Sequence, residues 1–128
     1  KAAGYGSNLL LNVGPMPNGK IQEEHIESLK KIGKWIKHNG QTIYNTKRGP
    51  IAPSDEIAST QNGNIIYIHL LDNKKLEYNI EGFNSKFKKI TYLNSGKKVS
   101  IEKSKEGLSI FLDDKEIDHI DTILKMEL

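Results

Sequence analysis

Sixteen aspartates and glutamates and four histidines are the residues in this chain that could carry acid–base or metal chemistry. Their spacing narrows what they can do. Asp113-Asp114 and the Asp118 to Asp121 stretch are acidic enough to suggest calcium, yet no D-x-D-x-D-G loop with a following Glu is present. His25, His38, His69 and His119 include no two residues three or four apart, so zinc-type spacing is missing as well. With no cysteine there is neither a disulfide nor a thiolate site. The sequence therefore predicts no metal and no cofactor. His38 ends a helical pattern and reads as a partner of the helix dipole, while His69 lies in a strand pattern and reads as a packed or surface residue. Glu23 and Glu24 open the same helical pattern, where negative charge complements the dipole.

Aromatic and basic residues are the other groups that could bind a ligand. Trp35 stands between Ile32 and Ile36 and reads as a packing residue rather than a sugar platform. Tyr67, Tyr78 and Tyr92 fall in strand patterns, where aromatic residues form core or cross-strand pairs. The net charge is +3, but Arg48 is the sole arginine and the lysines run from Lys1 to Lys125 without massing. That pattern suits a solvated surface better than a nucleic-acid footprint, which favours clustered arginine.

Two kinds of element must hold these residues. "NLLLNVGP" over Asn8 to Pro15 is a continuous apolar run stopped by Gly-Pro, the pattern of a strand covered on both faces. Pro17-Asn18-Gly19 is turn chemistry, and a helix follows from about Gln22 to His38 with Ile26, Leu29, Ile32, Trp35 and Ile36 on one face. Asn39-Gly40 reads as its stop. "GPIAPS" at 49–54 is an irregular connector. Six short segments rich in β-branched and aromatic residues follow, several of them alternating apolar with polar: Asn64 to Leu71, Lys75 to Ile80, Phe87 to Leu93, Lys98 to Lys103, Leu108 to Leu112 and Asp121 to Leu128. Between them stand Asp72-Asn73, Gly82, Asn94-Ser95-Gly96, Glu106-Gly107 and Asp113-Asp114, and together they predict an antiparallel sandwich. At 36% hydrophobic and 27% charged, the chain has the composition of a folded protein. No apolar run reaches the roughly 20 residues of a membrane span, and no signal-peptide pattern is visible. Lys1 is not a start methionine, and further chain is expected upstream of it.

The order N-L-L-L-N-V-G-P, P-x-N-G and G-K-W-I-x-x-N-G-x-x-I-Y, found at Asn8 to Pro15, Pro17 to Gly19 and Gly33 to Tyr44, resembles the end of the catalytic barrel of family 29 α-L-fucosidases. "IIYIHLLD" and the closing "IDTILKMEL" are similar to that family's C-terminal sandwich. The resemblance implies the last β-α unit of a (β/α)8-type barrel at 1–44, a connector at 45–56 and an all-β antiparallel sandwich at 57–128. It implies a retaining glycosidase that removes terminal fucose from glycans by means of an Asp nucleophile and a Glu acid/base roughly 5 Å apart. Neither has a match here, because both precede the last barrel strand, so no catalytic residue is expected in this chain. The implied partners are an upstream barrel of the same protein and, through it, a fucosylated glycan; neither a nucleic acid nor a membrane span is implied.

Two further readings depend on the same resemblance. Asn12 sits near the C-terminal end of the barrel strand, where such enzymes place their sites, and is the one substrate-binding candidate. Glu23 and Glu24 follow that strand's loop and would stand at the rim. The resemblance leaves the compartment open among secreted, periplasmic and lysosome-like. The rival reading is a non-catalytic β-sandwich module that binds carbohydrate or protein, with the β-α piece as a clasp.

Overall fold

A computed structural model describes all 128 residues. After a short 3-10 helix at Ala3–Tyr5, the chain forms one α-helix, α1 (Glu23–Asn39), and eight strands. The strands are β1 (Lys47–Arg48), β2 (Ile57–Asn62), β3 (Ile65–Leu70), β4 (Glu77–Glu81), β5 (Lys89–Tyr92), β6 (Ser100–Lys103), β7 (Gly107–Phe111) and β8 (Thr122–Glu127). Five make one sheet in the order β1-β2-β3-β8-β5, and three make a second in the order β4-β7-β6. Every pairing is antiparallel.

The alternation predicted from sequence is what joins the two sheets. In β3, Ile66, Ile68 and Leu70 point to one face; Met126 and Leu124 of β8 stand opposite Ile66 and Ile68, and Ile90 and Tyr92 of β5 lie beyond them. From the smaller sheet, Tyr78 and Ile80 meet this face together with Leu108 and Ile110. Ile68, Ile110, Leu124 and Met126 are fully buried, each contributing on the order of 1.5–3 kcal/mol by leaving water. The last strand, β8, lies between β3 and β5, so the C-terminal residues close the larger sheet.

Two strands escaped the sequence reading. β1 falls inside the connector expected at 45–56, and β2 reads "IASTQN", polar in its centre. Both form because the larger sheet supplies partners: β2 pairs with β3 across a two-residue Gly63-Asn64 turn, with Gly63 at φ 53°. The connector itself is anchored by Ser59, whose Oγ accepts from the Ile51 amide and donates to the Ile51 carbonyl, each at 3.0 Å. Gly49 passes so close that a Cβ there would lie 2.3 Å from Ser59 Oγ.

The helix matches its expected span within a residue. Glu23 and Glu24 occupy the first turn and Lys37 and His38 the last. Its end differs from a left-handed glycine cap: Gly40 keeps right-handed angles and opens a 3-10 turn, Gly40–Thr42. The strand expected at Asn8 to Pro15 is not formed. Ser7 to Pro15 carry no regular secondary structure, and Leu9, Leu10 and Leu11 are 75%, 93% and 54% exposed. A strand needs neighbours to take its N–H and C=O groups, and no strand of either sheet pairs with this segment. The turn after it does form: Gly19 donates to the Met16 carbonyl and Met16 to the Lys20 carbonyl, both at 2.8 Å.

Candidate functional site

The face of the larger sheet turned away from the core carries Ala58, His69 and Ile123 in one row and Thr60, Tyr67 and Lys125 in the next. The end of α1 and the 3-10 turn after it cover this face. Thr60 donates to the Thr42 carbonyl at 2.6 Å, and Thr42, fully buried, donates to the Asn39 carbonyl at 2.7 Å. The Trp35 ring lies 6.4 Å from the His69 ring, tilted by 41°. Trp35 thus packs on the sandwich, where its place in the sequence leaves the sandwich and the barrel wall both open.

Beneath Trp35 the sequence reading missed a pair. His69 Nδ1 is 2.7 Å from Asp121 Oδ2, with the two side chains 6% and 7% exposed. A turn built on Asp118 delivers Asp121: Asp118 Oδ1 accepts from the Ile120 amide at 2.8 Å, while the Asp118 amide donates to Thr122 Oγ1 at 2.8 Å. An ionised carboxylate only accepts, so the proton of this bond sits on Nδ1. His69 Nε2, Asp121 Oδ1 and Asn39 Oδ1 are buried with no hydrogen-bond partner in the chain. A histidine oriented by an aspartate is half of a nucleophile-activating relay. Here the outer nitrogen meets no hydroxyl and stands under the helix, so the pair joins sheet, helix and the β8 approach rather than attacking a substrate. No local pattern could have revealed it, since 52 residues separate its members.

The other expected residues do not assemble. Asn12 is exposed, and its Oδ1 accepts from the Val13 amide at 2.9 Å. Glu23 and Glu24 are exposed on the first helical turn. His38 Nδ1 lies 2.9 Å from the Lys34 carbonyl, one turn back. Asp113 caps the 3-10 turn Asp114–Glu116 by accepting from the Lys115 amide, and no group of three His, Asp or Glu gathers as metal ligands. Tyr67, Tyr78 and Tyr92 are buried, and burial pushes the Tyr78 and Tyr92 phenols above the ordinary value. The Tyr78 hydroxyl donates to the Asp72 carbonyl at 2.7 Å, while Tyr92 Oη accepts from the Asp113 amide at 2.8 Å. Of two clefts on the sandwich, one is lined by no carboxylate and the other by Glu81 alone, so neither offers the two carboxyls of a glycosidase.

The comparisons with known proteins agree with this anatomy. Residues 1–41 match the family model "Alpha-L-fucosidase". The tissue α-L-fucosidase of Bos taurus is 35% identical over 114 residues, covering 84% of this chain and 24% of the relative. The α-L-fucosidase of Branchiostoma floridae is 48% identical over 42 residues, 33% of this chain and 9% of the relative. The solved Thermotoga maritima α-fucosidase in complex with a mechanism-based inhibitor superposes with a TM-score of 0.86 at 28% identity, covering 99% of this chain and 32% of that one. The chain therefore spans a third or less of the length of these proteins. An antiparallel β-rich domain with one docked helix is the C-terminal domain of α-fucosidases. This chain corresponds along its length to the C-terminal part of the family 29 α-L-fucosidases.

Proposed function

We propose that the chain works as the C-terminal portion of an α-L-fucosidase, a retaining glycoside hydrolase that removes terminal α-L-fucose from glycans. Residues 1–44 supply the last β-α unit of a (β/α)8-type barrel, 45–56 connect, and 57–128 form the sandwich that holds this unit. The observation that carries the reading is the exposure of Leu9, Leu10 and Leu11 just before a helix that is already docked. A run apolar on both sides suits a strand between barrel neighbours, with one set inward and the other against helices. The upstream barrel is its partner and carries the nucleophile and the acid/base. On pairing, Asn12 turns its amide from its own backbone toward the site and serves as a substrate-binding residue. Through Trp35, His69 and Asp121, the sandwich fixes the helix and hence the loop before it.

Fucose release from an aryl fucoside tests this. The 128-residue chain alone is expected to be inactive, and mixing it with a separately expressed upstream barrel is expected to restore turnover that neither piece shows. Turnover by the chain alone, after rigorous removal of contaminating enzyme, would overturn the assignment of the catalytic carboxylates to the barrel.

A further inference from the structure

At one end of the sandwich, the connector between β4 and β5 faces the turn between β6 and β7 across a cleft of about 200 Å³. Its size falls below the ~300–1,000 Å³ of pockets for drug-sized ligands and suits a single ring. Phe83 and Leu108, both buried, and Phe87, half-buried, give it an apolar floor. Asn84, Ser85 and Ser104 give it a hydrogen-bonding rim. Ser104 Oγ accepts from the Glu106 and Gly107 amides, which leaves its hydroxyl proton to donate.

The charges in the cleft are of one sign. Lys86 and Lys103 line it, and no Asp or Glu does. Neither lysine meets a carboxylate of the chain, whereas Lys1, Lys75, Lys89, Lys97 and Lys125 each do. Lys103 is also held in place, with its ammonium 3.6 Å from the centroid of the Phe87 ring. The result is a cation fixed beside an apolar floor and a polar rim. Across the 83–85 loop lies a second cleft of about 380 Å³, lined by Glu81 and therefore unsuited to an anion.

We propose that the Lys86/Lys103 cleft binds an acidic sugar, one unit bearing a carboxylate or a sulfate. Its anion meets the two ammonium groups, its C–H face meets the apolar floor, and its hydroxyls meet Asn84, Ser85 and Ser104. Neutral units of the same glycan continue past the 83–85 loop into the larger cleft. The choice of a sugar as the bearer of the anion rests on the fucosidase reading; the demand for an anion rests on the cleft alone. Such a site would direct the enzyme toward sialylated or sulfated glycans without touching the scissile bond.

Amide NMR of the 128-residue chain tests this by binding, independently of activity, so its failure and that of the fucosidase reading are separable. The probes are N-acetylneuraminic acid, galactose 6-sulfate, L-fucose and sodium sulfate. Saturable shifts confined to 83–87 and 103–108 are expected with at least one acidic sugar, and which of the two acts identifies the anion. L-Fucose should give no saturable shift there. Lys86→Gln with Lys103→Gln should weaken binding at least tenfold while leaving the remaining spectrum unchanged. Three outcomes would overturn the proposal: no saturation by either acidic sugar, sodium sulfate binding as tightly as the sugars, or binding unaltered in the double variant.

Discussion

His69 Nδ1 and Asp121 Oδ2 meet at 2.7 Å between the larger sheet and the helix, both side chains almost wholly out of water. Removing one member strands the other. His69→Ala is expected to cost about 3 kcal/mol or more, the range for a buried pair left with one partner. Replacing both by leucine should cost less than either single loss, because no polar group is then left unpaired. Urea unfolding of the three variants checks the order, and additive losses would count against coupling.

Trp35 is the sole tryptophan, so its emission reports on the helix–sheet seam. Trp35→Ala should release α1 while β3 and β8 stay protected, because the core of the sandwich does not include Trp35. Hydrogen exchange would show faster amides in 23–39 alone. Equal acceleration in β3 would mean that helix and sandwich unfold as one unit.

The exposed leucines give an asymmetric prediction. Leu9→Ser, Leu10→Ser and Leu11→Ser should each change the stability of this chain by less than about 0.5 kcal/mol, as surface substitutions do. In a strictly monomeric sample, the amides of residues 9–13 should exchange rapidly. In the reassembled enzyme the same substitutions should abolish the recovery of fucose release. Strong protection of these amides in the monomer would show that the segment has partners within the chain.

Glu116 and Lys97 form a surface pair in which the lysine's hydrogen bond holds the Glu116 carboxyl below its ordinary value of 4.5. A lowered folded value means that the pair's contribution is whole above that pH and is lost as pH falls through the folded value. Lys97 is raised above its ordinary 10.5 by Glu116, so on the alkaline side the contribution is whole below 10.5 and lost above the raised value. Lys97→Ala should bring the Glu116 titration, followed by carboxyl ¹³C shifts, back up toward 4.5. An unmoved Glu116 would mean that Lys97 is not what lowers it.

Gly107 begins β7 at φ 154°, where a Cβ would stand 2.1 Å from the Ile80 carbonyl oxygen. Gly107→Ala should therefore part β4 from β7 at this end and destabilise the chain by roughly 1–3 kcal/mol, the cost of a strained backbone position. Thermal unfolding would read the loss. A neutral result would mean that the two strands separate there without penalty.

The sequence alone sufficed for α1 and six of the eight strands, because their periods of 3.6 and 2 are written in Ile26, Leu29, Ile32 and Trp35 and in Ile66, Ile68 and Leu70. It also sufficed for the family, because the ordered motifs of the first 44 residues are read without knowing where they lie in space. β2 was hidden because Ser59 and Thr60 look like loop residues until Ile51 and Thr42 take their hydroxyls. His69–Asp121 was hidden because a contact across 52 residues exists only after β3 and β8 pair and Asp118 turns the chain. Leu9 to Leu11 show the reverse: the strand expected there from its side chains is not formed, and no strand of either sheet pairs with the segment.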